Sequence, residues 1–191
     1  ILHPHQFDEA ASARFARFFT MLRTAATRLA FVCASAVQLE IDPNEVYDRL
    51  HDMTFSRADC TAASALVGTA KALVQSKLGR VDQGDRREIW FEANAHAAPD
   101  AFTLLAGVDS GSEIDWFAER RCLEEEIAIG EYIVPAQLAV AGRDIIERFD
   151  LKPGTAIGTL LKWLHRQVLK EPALNDKESL LSLAQESMDD V

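Results

Sequence analysis

The chain has 191 residues, with 30 acidic against 20 basic side chains and a net charge of −10. Its hydrophobic fraction of 48% and charged fraction of 26% are typical of a soluble globular protein with one domain or two small ones. No apolar run approaches the ~20 residues of a membrane-spanning helix and no secretory leader is recognisable, so we expect a cytoplasmic protein without a membrane partner.

The charge is unevenly distributed along the chain. Residues 142–170 hold 6 basic and 3 acidic side chains, a local charge of +3. Residues 71–87 hold 5 basic and 2 acidic side chains, which is also +3. A uniformly acidic surface would repel a nucleic acid, but these two patches leave such a partner open.

Helical periodicity dominates the first half of the chain. Residues 8–37 repeat apolar side chains every three or four positions, which is typical of an amphipathic helix. Asp42 followed by Pro43 predicts the start of a second helix, and Ser56 predicts the start of a third. The expected buried face of this third helix consists of Cys60, Ala63, Val67, Ala70 and Val74.

Two short helices are then expected, at residues 85–96 and at 98–107, the second ended by Gly107. The sequence VDSGSE at residues 108–113 combines turn-forming residues, and we interpret it as a boundary. We therefore predict one helical domain over residues 1–108 and another over residues 109–191.

The second domain also has helical character. A helix is expected from about Ser112 to Ile129 and another from about Thr155 to Lys170. Asn175 with Glu178 three residues later resembles the capped start of a last helix. No alternating strand pattern occurs, so the predicted fold is all-α, a multi-helix bundle in two small lobes.

Histidines give little support to a metal-dependent enzyme. His51-Asp52 matches one part of the His/Asp set of metal phosphohydrolases, but no suitably spaced upstream histidine accompanies it. His3 and His5 resemble a chelating pair, yet they lie at the start of the chain. We predict no metal site.

Acidic residues give no better support to a catalytic site. Glu113 with Asp115, and Glu124 with Glu126, are each two positions apart. Side chains two apart on a helix point away from each other, so we interpret these four as surface charge. Phosphate-binding glycine loops are also absent from the sequence. We predict no catalytic residue.

The segment GRDIIERFDLKPGTAIG, residues 142–158, joins two predicted helices through a turn. Asp144 suits the N-terminus of the first helix, and Gly154 is expected to allow either a close backbone approach or a positive φ. Along the second helix, basic residues recur at i, i+4 and i+8, namely Lys162, Arg166 and Lys170. This unit either presents backbone N–H groups and cations to a phosphodiester backbone or is a helix corner with a solvated basic face.

Residues 138–181 resemble the C-terminal region of bacterial tRNA nucleotidyltransferases, the CCA-adding enzymes, and of the related poly(A) polymerases. One departure is Ala141, where that family usually has asparagine. The residues that match the family pattern in order and spacing are Leu138, Val140, Gly142, Arg143, Asp144, Pro153, Gly154, Ile157, Gly158, Leu161, Val168, Asn175 and Leu180.

The resemblance implies a transferase fragment that holds the helical body and tail. In that family, the body and tail grip the elbow and backbone of tRNA, and an N-terminal head adds or repairs the 3′ CCA end with Mg²⁺ and CTP or ATP. The resemblance therefore implies an RNA-binding role in tRNA processing. We expect the catalytic head to be missing from this chain, no cofactor to bind it, and the chain to be inactive alone.

The local positive charge and the family resemblance together predict which residues contact RNA. The first group consists of Arg143, Lys152, Lys162, Arg166 and Lys170, and a second group of Lys77, Arg80, Arg86 and Arg87. The alternative is an all-helical interaction or dimerisation module without a nucleic-acid role. Its homodimer would form through the helix predicted at residues 8–37.

Overall fold

The computed structural model describes residue 29 and residues 42–76, 78–109 and 112–189, except for the side chains of Arg80 and Asp189. These residues form α-helices and short 3-10 helices and no β-strand, so the predicted all-α fold is confirmed for the described part of the chain. The helices are α1 (Pro43–Asp52), α2 (Arg57–Gln75), α3 (Gln83–Glu92), α4 (Asp100–Val108), α5 (Trp116–Ile129), α6 (Gly142–Phe149), α7 (Thr155–Lys170) and α8 (Lys177–Asp189).

The chain divides into two compact units. Unit 1 consists of Ile1–Arg80 and Ile89–Cys122, and unit 2 consists of Val81–Glu88 and Leu123–Val191. Helices α3 and α5 therefore each contribute residues to both units. The domain limits predicted at residues 108 and 109 stay a prediction.

Capping side chains begin the first two described helices of unit 1. The Asp42 carboxylate accepts a hydrogen bond from the Asn44 N–H at 2.8 Å, just before α1. The Ser56 hydroxyl accepts one from the Asp59 N–H at 3.1 Å, just before α2. Both bonds satisfy N–H groups that have no partner inside the helix, so the two predicted helix starts are confirmed. Helix α2 packs against α1 and α4.

The buried face of α2 differs from the prediction at one position. Cys60, Ala63, Val67 and Ala70 are buried as expected, but Val74 is 43% exposed. Leu73 is fully buried in its place. Both residues lie about one turn beyond Ala70, and 3.6 residues per turn allow either of them to continue the face.

Several helix limits also differ from the prediction, including the start of α5, which is Trp116 and not Ser112. The helix expected at 85–96 begins earlier, at Gln83, because the Asp82 carboxylate accepts a hydrogen bond from the Asp85 N–H at 2.9 Å. It ends at Glu92, shortly before Asn94 takes a left-handed φ of 58°. The helix expected to end at Gly107 continues through it to Val108.

Unit 2 has its core between α6, α7, α8 and the segment before α6. Helix α7 has the predicted limits, and both α6 and α8 pack against it. The core side chains are Ile133, Val140, Ile145, Ile157, Leu164, Val168, Leu180, Leu181 and Ala184. Burial of these apolar groups is the main source of stability for the unit.

Among the described residues, no helix is both long and apolar enough to cross a membrane.

Candidate nucleic-acid interface

The corner between α6 and α7 depends on a close approach at Gly142. A Cβ atom on Gly142 would lie 3.3 Å from Cγ2 of Ile157 and 3.7 Å from Cδ1 of Leu161. The start of α6 therefore rests directly on α7. Arg143 follows Gly142 and is exposed, and Lys162 follows Leu161 and is also exposed.

The prediction for Gly154 was wrong. Gly154 has φ 179° and ψ 179°, an extended conformation that any residue can adopt. A Cβ atom there would have only one neighbour within 4 Å, the Lys152 carbonyl oxygen at 3.9 Å. It is Asp150, at the end of α6, that takes the left-handed conformation with φ 50°. The turn is therefore made by Asp150, and aspartate is one of the residues that tolerates this region.

Asp144 joins three elements at the start of α6. Its carboxylate accepts a hydrogen bond from the Ala141 N–H at 2.8 Å and another from Nζ of Lys177 at 2.6 Å. These bonds, with that from Lys177 first, lower the pKa of Asp144 below its ordinary value. The anion also suits the N-terminus of α6, as the sequence predicted.

Asn175 holds the segment before α6 instead of capping α8. Its Oδ1 accepts a hydrogen bond from the Ala139 N–H at 2.8 Å, and its Nδ2 donates to the Gln137 carbonyl at 3.1 Å. The predicted capping role belongs to Asp176, whose carboxylate accepts from the Ser179 N–H at 3.0 Å. The same side-chain groups can cap a helix or bind a distant backbone segment of the same chain. Sequence spacing alone therefore does not distinguish the two roles.

Three of the predicted RNA contacts are exposed cations. Arg143, Lys152 and Lys162 are exposed, and none of them forms an ion pair with another residue that the structure describes. Arg143 and Lys162 lie on either side of the Gly142 contact, and Lys152 lies in the turn between the helices. Arg143 also acts electrostatically on neighbouring Asp144. Exposed cations outside a direct ion pair are the groups most open to a phosphate partner.

The other two cations of the first group have acidic partners on α3. Nε of Arg166 lies 3.0 Å from Oε1 of Glu88. Nζ of Lys170 lies 3.2 Å from Oδ1 of Asp85 and 3.8 Å from Oε2 of Glu88. The sequence analysis missed this pairing because the acids are far from α7 along the chain and no local pattern connects them.

Of the second group of predicted contacts, the structure describes the side chains of Arg86 and Arg87. Lys77 and the side chain of Arg80 lie outside the described part of the structure. Arg86 is partly buried and donates to Oε1 of Gln83 at 3.2 Å. Arg87 is only 5% exposed. Its role as an RNA contact stays a prediction that its burial disfavours.

Arg87 instead neutralises acidic groups inside unit 2. Its guanidinium donates to the carboxylate of Glu126, to that of Glu131 at 2.6 Å, and to the Leu169 carbonyl at 3.4 Å. Glu126 also accepts from Nε2 of Gln83 and is buried. The expectation that Glu126 is surface charge was therefore wrong, since its buried anion is compensated by Arg87.

Two of the residues considered for catalysis, His51 and Asp52, lie at the end of α1. His51 and Asp52 are exposed, and the His51 ring stacks on Tyr47 with centroids 6.2 Å apart. His3 and His5 lie outside the described residues. Within the described ranges, no group of three or more His, Cys, Asp or Glu side chains is placed to hold a metal ion.

Comparison with protein families gives a match over most of the chain. The family model for tRNA nucleotidyltransferase domain 2 matches residues 27–184. No curated protein sequence and no solved structure matches the chain significantly. The match spans both units and includes the whole α6–α7 corner. The chain therefore belongs to the tRNA nucleotidyltransferase domain 2 family.

Proposed function

We propose that the chain is the tRNA-binding C-terminal part of a tRNA nucleotidyltransferase that adds or repairs the 3′ CCA end of tRNA. The family match over residues 27–184 is the observation on which this proposal rests. The exposed cations at the α6–α7 corner support it, because cations on a rigid helix pair can hold a phosphodiester backbone.

The proposed contact surface consists of Arg143, Lys152 and Lys162, with Arg166 and Lys170 at its far end. The residue before α7, Gly154, has no side chain that could cap its N-terminus, and residues 151–156 leading into the helix are exposed. The positive end of that helix therefore adds to the field of Lys152, which lies in the turn just before it. Such contacts position RNA by its shape and backbone and do not read base sequence.

Nucleotide transfer belongs, in this proposal, to a catalytic head that would supply Mg²⁺ and the CTP or ATP site. Three acidic side chains of unit 2 have structural partners, since Glu126 and Glu131 bind Arg87 and Asp144 binds Lys177. No step is assigned to a metal in this chain. We also propose a cytoplasmic location, where tRNA is processed.

A fluorescence titration of labelled tRNA with the 191-residue chain tests the proposal. We expect binding at low salt that weakens steeply as salt rises. R143E and K162E should each weaken binding and lower the salt slope by about 1. The matched control is R57E, which reverses an exposed arginine at the start of α2 in unit 1 and should leave affinity within about twofold.

Two results would contradict the proposal. The first is a lack of tRNA binding even at low salt, and the second is binding that R143E and K162E leave unchanged. Light scattering on the same samples then tests the alternative. A tight homodimer without RNA binding would identify the chain as a dimerisation module.

A further inference from the structure

Lys162, Arg166 and Lys170 form a cationic row along α7. One end of this row is open to solvent, and the other end is paired with acidic residues. Lys162 is exposed without an ion pair to any residue described, whereas one and two turns later Arg166 and Lys170 lie against acids of α3. All of these residues belong to unit 2. The division therefore lies within one compact unit and along a single helix face.

Close backbone packing positions the acids. A Cβ atom on Gly84 would lie 2.9 Å from Cα of Lys170, so the first turn of α3 touches the end of α7. The buried guanidinium of Arg87 also donates to the Leu169 carbonyl. These contacts hold in place the segment that carries Asp85 and Glu88. The positions of both acids are therefore set by the fold of unit 2.

The ion pairs themselves are accessible to a competing anion. The side chains of Arg166 and Lys170 are 55% and 49% exposed, that of Asp85 is 46% exposed, and that of Glu88 is 21% exposed. Exposed ion pairs of this kind contribute little net stability. By contrast, the side chains of Arg87 and Glu126 are only 6% and 8% exposed, and a buried pair resists opening.

A phosphate is a stronger partner for these cations than a lone carboxylate. It carries more oxygen acceptors, it can bind a guanidinium in bidentate fashion, and binding a polyanion also releases counter-ions. Asp85 and Glu88 would thus have to give up Arg166 and Lys170 when a backbone arrives. Glu88 faces both cations, and Asp85 faces Lys170.

We propose that Asp85 and Glu88 are intramolecular competitors of RNA phosphate for Arg166 and Lys170. While these acids pair with the two cations, weak anions do not bind at this end of the cationic row. A polyanion that already binds Arg143 and Lys162 displaces the acids and binds there. This inference rests on the proposed tRNA binding. It assigns to two acidic residues the control of how tightly the same surface holds RNA.

The test compares the tRNA affinity of E88Q with that of E186Q, in the full chain at one low salt concentration. Glu186 is an exposed glutamate of α8, also in unit 2, which forms no ion pair with any described residue. E88Q should tighten binding about two- to fivefold, and E186Q should have a smaller effect. D85N, which frees Lys170 by a second route, should act in the same direction as E88Q.

A double-mutant cycle separates competition from a general charge effect. In an R166Q/K170Q background, the gain from E88Q should disappear, because no cation remains to be released. Equal gains from E88Q and E186Q, or a gain from E88Q that persists in that background, would overturn the competition. Failure of both the wild type and E88Q to bind tRNA would overturn the proposed function and this inference with it. Binding by the wild type without an E88Q effect would overturn the competition alone.

Discussion

Nζ of Lys177 donates a hydrogen bond to Oδ1 of Asp144 across 2.6 Å, joining the starts of α8 and α6. The same carboxylate accepts from the Ala141 N–H, so it ties the segment before α6 to both helices. Some residues that match the family pattern, such as Asp144, therefore have a structural role. They hold the corner from which Arg143 and Lys162 project.

This bond predicts a pH dependence. Because the pKa of Asp144 is lowered in the fold, first by the bond from Lys177, its contribution is fully present above the ordinary aspartate pKa. It is lost as the pH falls through the lower folded value. We expect the urea midpoint of K177M to lie below that of the wild type at about pH 6, with the difference shrinking below about pH 4.

The matched control for K177M is K162M, which removes an exposed lysine of α7 that has no ion pair within the described residues. Its midpoint should follow that of the wild type at every pH. A difference between K177M and the wild type that stays constant from neutral to acid pH would contradict the assignment to Asp144.

His165 predicts a second and separate pH window. His165 is only 3% exposed, and its Nε2 lies 2.7 Å from the Ile133 carbonyl oxygen. A carbonyl only accepts, so Nε2 carries the hydrogen. Burial lowers the pKa of His165 below its ordinary value, although the bond to Ile133 acts in the opposite direction.

A histidine held neutral in the fold binds its proton more readily in the unfolded chain, so stability falls as the pH drops below about 6.5. We expect the urea midpoint of the wild type to decrease between about pH 7 and pH 5. H165Q, which keeps a donor for Ile133, should flatten this slope even if its overall stability is lower. An unchanged slope in H165Q would assign the decrease to other groups.

Two glycines form a matched pair for a packing test. A Cβ on Gly84 would lie 2.9 Å from Cα of Lys170, whereas a Cβ on Gly158, within α7, would meet nothing within 4 Å. G84A should destabilise the chain by about 1–3 kcal/mol through overpacking against backbone. G158A should stabilise it by up to about 1 kcal/mol, because alanine favours the helix. Denaturant titrations giving the two variants similar effects would disprove the close approach at Gly84.

Removal of the Asn175 side chain tests the clamp on the segment before α6. N175A removes two hydrogen bonds and leaves the Ala139 N–H and the Gln137 carbonyl without this partner. We expect a loss of about 1–3 kcal/mol in the free energy of unfolding, since each neutral bond contributes about 0.5–1.5 kcal/mol. An unfolding free energy equal to that of the wild type would show that solvent replaces both bonds.

Local sequence signals predicted the elements of the fold well. Asp42, Ser56 and the limits of α7 were all correct, because capping and helical periodicity depend on residues within a few positions of each other. The C-terminal resemblance was likewise confirmed by the family match.

The errors concern pairings between distant parts of the chain. The burial of Glu126 depends on Arg87, which lies 39 positions away, and Asn175 binds a backbone N–H 36 positions away. The counter-ions of Arg166 and Lys170 come from α3. The periodicity of one helix does not indicate which other helix will supply its ion-pair partners. A row of basic residues in the sequence therefore overestimates how many cations stay outside ion pairs in the fold.

The buried pair of Arg87 and Glu126 also determines how the chain can be divided. Unit 2 takes Arg87 from the short segment Val81–Glu88, while its remaining residues begin only at Leu123. A chain shortened to residues 109–191 would keep Glu126 without its guanidinium, at a cost of about 3–5 kcal/mol. That is a large part of the roughly 5–15 kcal/mol that holds an ordinary domain together. We therefore expect autonomous folding of the C-terminal half only from a piece that retains α3, so that the smallest independent folding unit begins well before residues 142–158.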